Sequence, residues 1–264
     1  MHFEILASHL HFARHPTAAS ASSLLKFSGN IVGESRETHF KLKDSVVEVE
    51  NLRGKEDSVD LDTAGFRFIH QPAKHTSFKS DEEIKAEYHP ESIKIIKQAT
   101  GASRVVTFDH TIRRRQIGAK DQAGQPASLV HVDQLPKAAI ARVGHHLPAS
   151  DVPRLLQKRF QIINLWRPIS HPALDWPLAV CDYRSVDSQK DTIPVVLVYP
   201  DLEEEAYGVA HNPAHKWKYV RGMTPEEAIL IKCFDSIQDE IDPFTPEDAP
   251  LRESIELRTL VFYD

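Results

Sequence analysis

A mainly β fold with flanking helices, a β-sandwich or jelly roll, is what this sequence predicts, on three observations. Helix-like periodicity is confined to the first part of the chain, from Ile84 to Ala99 and from Pro136 to Val143. From Phe160 onward, short runs rich in β-branched and aromatic residues follow one another. Turn residues separate these runs, as they do in layered β architectures.

Taken in order, Val46-Val47-Glu48-Val49-Glu50 alternates and predicts a strand, stopped by a turn at Arg53-Gly54; Gly65 to Ile69 predicts a second. Ser80 with Glu83 three residues on is a helix start, because the hydroxyl and the glutamate satisfy each other's exposed N–H groups. Apolar residues then run through Ile84, Ile93 and Ile96 to a stop at Gly101, and Pro90 is expected to divide the segment into two helices. Arg104 to Phe108 predicts a strand, Gln116 to Pro126 a polar loop, and Leu129 to Asp133 a strand. A short helix is expected over Asp151–Arg159, with Pro153 in its first turn. Strands are expected over Phe160–Trp166, Leu178–Tyr183, Val195–Tyr199, Trp217–Val220, Ile229–Phe234 and Ser254–Phe262, and the acidic run Glu203-Glu204-Glu205 as a solvated loop. We expect one domain over 1–264, with a variable segment at 1–45 and a core at 46–264.

The bulk numbers exclude several classes. The 264 residues are 41% hydrophobic and 27% charged, an ordinary globular balance that buries its own core. The net charge of −6 gives no reason to expect nucleic acid or an anionic membrane as partner, and Arg113-Arg114-Arg115 is too short a basic run to change that. No run of about 18 apolar residues occurs. Cys181 and Cys233, the two cysteines, sit in apolar runs and are too few for a structural zinc site. A cytoplasmic protein acting on a small molecule is expected, with homo- or hetero-oligomerisation left open.

Two short motifs carry the chemistry. His131-Val132-Asp133 at a strand end offers one imidazole and one carboxylate from the same strand face to one metal ion. Arg252-Glu253-Ser254 on the last strand offers a guanidinium fork and, two residues on, a hydroxyl, a pair suited to a carboxylate. Each also has a plainer explanation: His-x-Asp is common in strands that bind nothing, and an arginine beside Glu253 and Glu256 commonly sits in a solvated strand. Their order along the chain points to a non-haem iron oxygenase using 2-oxoglutarate. Trp166, Trp176 and Trp217 are read as core or pocket wall, and Arg167 either binds a substrate acid or pairs with Asp175 or Asp182.

The run from Arg159 to Ile169, reading Arg-Phe-Gln-Ile-Ile-Asn-Leu-Trp-Arg-Pro-Ile, resembles a signature of the AsaB-type hydroxylase/desaturase family. That family is similar to gibberellin desaturase-like proteins and is common in fungal secondary metabolism. The likeness extends through Pro177 to Asp182, His215 to Tyr219, Leu230 to Ser236 and Arg252 to Arg258, and upstream through Gly101 to Val105 and Phe108 to Arg113. It implies a double-stranded β-helix (jelly roll, cupin-like), iron(II), 2-oxoglutarate, and hydroxylation or desaturation of a small organic substrate. It puts His131 and Asp133 on the family's metal motif, Arg252 and Ser254 on its cosubstrate strand, and Asn164, Arg167 and Trp217 among candidate substrate contacts.

The chain departs from the family at one place. After Phe-Asp-Ser the family carries a Pro-His-Thr-Ala-Phe-like motif whose histidine looks like the third ligand. Here Ser236 runs on through Ile237 to Asp248, and no histidine follows His215. Three readings stay open. His215 replaces the ligand; or Glu240 or Asp242 ligates, at some cost because imidazole suits iron(II) better than a further hard oxygen; or the metal site is lost and the chain is a binding or partner subunit.

Overall fold

The computed structural model describes residues 47–118, 124–126, 130–199, 202–237 and 253–263, with the backbone alone for 194–199 and 202–207 and for short strands between residues 3 and 45. Two sheets dominate. One has five strands in the order Phe66–His70, Glu227–Asp235, Phe160–Pro168, Glu253–Phe262, Arg104–Arg114. The other has nine, and its centre runs Leu202–Val209, His131–Val132, Phe3–Leu6, Leu178–Cys181, Trp217–Tyr219. Pairing is mostly antiparallel, between strands far apart in the chain.

Strand alternation decides what each face buries. Ile162 and Trp166 of the five-stranded sheet pack in one apolar cluster with Leu178 and Val180 of the nine-stranded sheet. This cluster lies between the sheets and is joined by Ala139 and Val143 of the Pro136–His146 helix. Ile163, Leu165, Ile255 and Leu257 turn to the opposite face and pack beneath the 81–100 helical segment with Ile84, Tyr88 and Ile96. Val130, Val132, Ala179, Cys181, Trp217 and Tyr219 form a third cluster on the outer face of the nine-stranded sheet.

The helical segment starts as the sequence predicts, with Ser80 Oγ accepting from the Glu83 N–H at 3.3 Å. Pro90 does not divide it. The chain passes from Asp81–Glu83 through a π-helical turn at Ile84–Tyr88 into the His89–Thr100 helix without a non-helical residue, and Pro90 follows directly on the π-helical turn, whose changed hydrogen-bond register accommodates the missing N–H and the ring. Gly101 closes the helix in the left-handed conformation (φ 73°). The second short helix is only Val152–Leu155. Glu203–Glu205 is not a loop: these residues belong to the Leu202–Val209 strand and pair with Val198, Leu197 and Val196. Eight paired backbone positions outweigh the poor strand propensity of three glutamates. No helix among the described residues is long and apolar enough to cross a membrane.

Candidate metal centre

Val130 and Val132 fill the outer cluster, so His131 and Asp133, one residue off in alternation, face inward between the sheets. His131 Nε2 stands 3.4 Å from Asp133 Oδ1, with the two side chains 25% and 14% exposed, enough to admit a small ligand. The other carboxylate oxygen is tied from the opposite sheet. Asn164 Nδ2, on the fully buried Asn164 side chain, donates to Asp133 Oδ2 at 2.7 Å, and the Cys233 thiol approaches the same oxygen at 3.6 Å.

A bulge aims that thiol. Ile162 pairs with Phe234 and Ile163 with Lys232, leaving Cys233 as the extra residue on its strand. Such an insertion re-aims a side chain without breaking the sheet. Asn164 is aimed by register: it pairs with Arg258 and lies on the Ile162 and Trp166 face.

The electrostatics favour an ionised carboxylate. Burial alone raises the Asp133 carboxyl, but the hydrogen bond from His131, the positive charge of Arg258 and the Asn164 bond outweigh it and hold the group well below the usual carboxylate range. Arg258 is itself bound by Glu256 Oε1 (2.6 Å), Asp109 Oδ2 (2.8 Å) and Thr111 Oγ1 (3.0 Å).

One imidazole beside one ionised carboxylate is a donor set that divalent iron accepts, and a buried amide on the carboxylate's second oxygen is the outer bond that ligating carboxylates carry. The residues fit an iron ion at two protein positions. Among the described residues, no group of three or more His, Cys, Asp and Glu side chains gathers as a metal set.

The remaining expected residues separate by face and by region. Ser254 is buried, pairs with Pro168, and shares the inward row with Glu256 and Arg258. Arg252, Glu240 and Asp242 lie outside the described residues. His215 is not brought to His131. Its Nε2 meets Asp191 Oδ2 at 2.8 Å, and its ring lies edge-on to Trp217 of the outer cluster at 6.0 Å. Burial lowers the His215 pKa, against the pull of Asp191, so the ring is neutral at pH 7 and donates to the carboxylate. Trp217 is buried on the same outer side. Arg167, three residues from Asn164, falls on the opposite strand face, under the helical segment. There it bonds the Pro225 carbonyl (2.6 Å) and the Tyr88 hydroxyl (3.4 Å), and neither Asp175 nor Asp182. Cys233 and Arg258 were missed from sequence. The alternation Arg252, Ser254, Glu256, Arg258 was a usable signal for Arg258; a bulge leaves none for Cys233.

Because Asn164 touches Asp133 and leaves its own Oδ1 buried without a partner, Asn164→Ala is expected to weaken iron(II) binding about ten- to hundredfold, the usual cost of losing an outer-sphere partner. Isothermal titration under nitrogen measures it, with circular dichroism checking the fold.

Two facing β-sheets make a jelly roll, and its inner face carries the His131–Asp133 pair. Comparison with known proteins agrees. A family model described as "YDMC: Oxidoreductase/YMDC permease-like domain" matches residues 10–262. The chain is 35% identical over 258 residues to the hydroxylase/desaturase efuI of Hormonema carpetanum, covering 86% of each protein. It is 35% identical over 235 residues to the Fe(II)/2-oxoglutarate-dependent dioxygenase nvfI of Aspergillus novofumigatus, covering 82% of each. A solved structure of the iron and alpha-ketoglutarate-dependent endoperoxidase NvfI superposes with a TM-score of 0.78 at 31% identity, covering 100% of this chain and 98% of that one. The chain belongs to the hydroxylase/desaturase family of fungal Fe(II)/2-oxoglutarate-dependent dioxygenases.

Proposed function

We propose that this protein binds iron(II) through His131 and Asp133 and uses 2-oxoglutarate to hydroxylate or desaturate a small organic substrate of secondary metabolism. The single observation that supports this most is the geometry at Asp133, with one carboxylate oxygen tied to Asn164 and the other facing His131. Bound iron with its keto-acid cosubstrate supplies the oxidising chemistry. The protein's part is to orient and exclude. Asn164 fixes the carboxylate, Arg252 and Ser254 hold the far carboxylate of the cosubstrate, and the apolar wall around Trp166 keeps water from the reacting carbon. Hydroxylation and desaturation share this site and differ in how the substrate lies in it. A cytoplasmic setting goes with this reading, and the charge of −6 gives no reason to add a nucleic-acid or anionic-membrane partner.

A second reading is favoured by one observation: among the described residues His131 and Asp133 are not part of a group of three or more His, Cys, Asp and Glu side chains able to hold a metal. On that reading the chain keeps the fold and serves as a binding or partner subunit. Anaerobic titration with iron(II) and 2-oxoglutarate separates the two. The oxygenase reading expects a weak visible charge-transfer band that vanishes in His131→Ala and weakens in Arg252→Ala. A folded protein that gives no band, and no succinate in air, sinks it and leaves the partner subunit.

A further inference from the structure

We propose that Arg113 anchors the far carboxylate of the keto-acid cosubstrate, as a second cation beside Ser254 on the inner face. This rests on the oxygenase reading and deepens it.

Strand register places Arg113 there. The Arg104–Arg114 strand lies against Glu253–Phe262, and its partners there are Arg113 for Ser254, Thr111 for Glu256 and Asp109 for Arg258. Directly opposed residues of antiparallel strands share a face, with Cβ atoms about 4.5–5.5 Å apart. The side chains bear out this face at the near end, where Arg258 reaches both Asp109 and Thr111. His110, Ile112 and Arg114 take the other face, where they line a separate cleft with Phe78 and Ile84 under the helical segment. Arg113 therefore stands on the same inward face as Asn164, whose amide holds Asp133.

Charge then singles it out. Arg258 is neutralised by Glu256 and Asp109. Arg115 is neutralised by Asp175 and lies over the Trp176 ring. Among the described residues Arg113 meets no carboxylate; its one bond is Nη1 donating to the Gln125 carbonyl at 3.0 Å. A half-buried guanidinium beside a buried serine, on the face that carries the metal pair, is a seat for an anion, and the planar fork suits a carboxylate. Ser254 pairs with Pro168, four positions along the strand from Asn164, or about 13 Å at the usual rise. An arginine side chain and a five-carbon diacid bridge that separation together, whereas a keto acid ending in a methyl group leaves the cation unmet.

The test is anaerobic titration of the iron(II)-loaded full chain with 2-oxoglutarate and with 2-oxobutyrate, which keeps the keto-acid end and lacks the far carboxylate. Arg113→Gln is expected to weaken 2-oxoglutarate binding about ten- to hundredfold, the loss of a charged hydrogen bond, while 2-oxobutyrate binds as it does to the unsubstituted protein. Arg113→Lys, which keeps the charge and loses the fork, is expected to fall between. Unchanged 2-oxoglutarate affinity in Arg113→Gln, or equal losses for both acids, overturns the assignment. If the unsubstituted protein with iron binds neither acid, the oxygenase reading has failed and this role fails with it. If it binds both and Arg113→Gln is indistinguishable, only the anchoring role has failed.

Discussion

Asp133→Ala is expected to lower iron(II) affinity by more than about a hundredfold and to destabilise the metal-free protein by about 1–3 kcal/mol. The two effects have different origins. The first is loss of the one ionised ligand, which folding holds in its charged form against the cost of burial. The second arises because Asn164 Nδ2 loses its acceptor inside a fully buried site, and an unmade buried hydrogen bond costs more than a made one contributes. Asp133→Asn separates them: it keeps an oxygen for Asn164 and removes the charge, so most of the stability is expected to return while affinity stays low. Chemical denaturation of apo protein and anaerobic iron titration, run on both variants, read the two quantities independently. Near-normal iron binding in Asp133→Ala would move the metal away from the His131 pair altogether.

Trp217→Ala is expected to cost about 3–5 kcal/mol of folding stability, the range for truncating a large buried aromatic. Trp217 is 1% exposed and packs in the outer cluster with Cys181 and Tyr219. The His131 and Asp133 side chains leave the opposite face of that sheet, so iron affinity measured below the unfolding transition is expected to stay within about twofold, inside the few tenths of a kcal/mol by which separated sites normally add. Of the two roles considered from sequence, core or pocket wall and substrate contact, burial in the outer cluster supports the first. A stable variant with weakened substrate or cosubstrate binding would restore the second.

These two residues mark where the sequence is legible and where it stops being so. That His131 and Asp133 share one face was legible because the motif is local and strand alternation alone sends both the same way. Alternation also separates Asn164 from Arg167, three apart, so the two cannot both be substrate contacts on one face; the structure sends one to the metal pair and the other under the helices. His215 and Trp217 were harder. Their motif is local, but which face of a nine-stranded sheet they occupy depends on pairing with Leu178–Cys181, a relation between distant segments. The strand at Glu203–Glu205 was missed for a like reason, because its partner strand, and not its own composition, holds it extended. Ser80 and Gly101 bounded the helical segment because caps are written in single residues. The bulge at Cys233 has no such mark.

The contacts that hold Asp133 join residues 31 positions apart, to Asn164, and 100 apart, to Cys233. Contacts of such sequence separation form late, since long loops must close before any of them is rewarded. A chain still leaving the ribosome, with Cys233 not yet made, presents His131 and Asp133 on an unsupported strand. Asn164 is made by then, but the two strands that flank its own, Glu227–Asp235 and Glu253–Phe262, are not complete, so the sheet that aims it at Asp133 has not formed. Full affinity for a metal ion at this pair is therefore expected only once both sheets have closed.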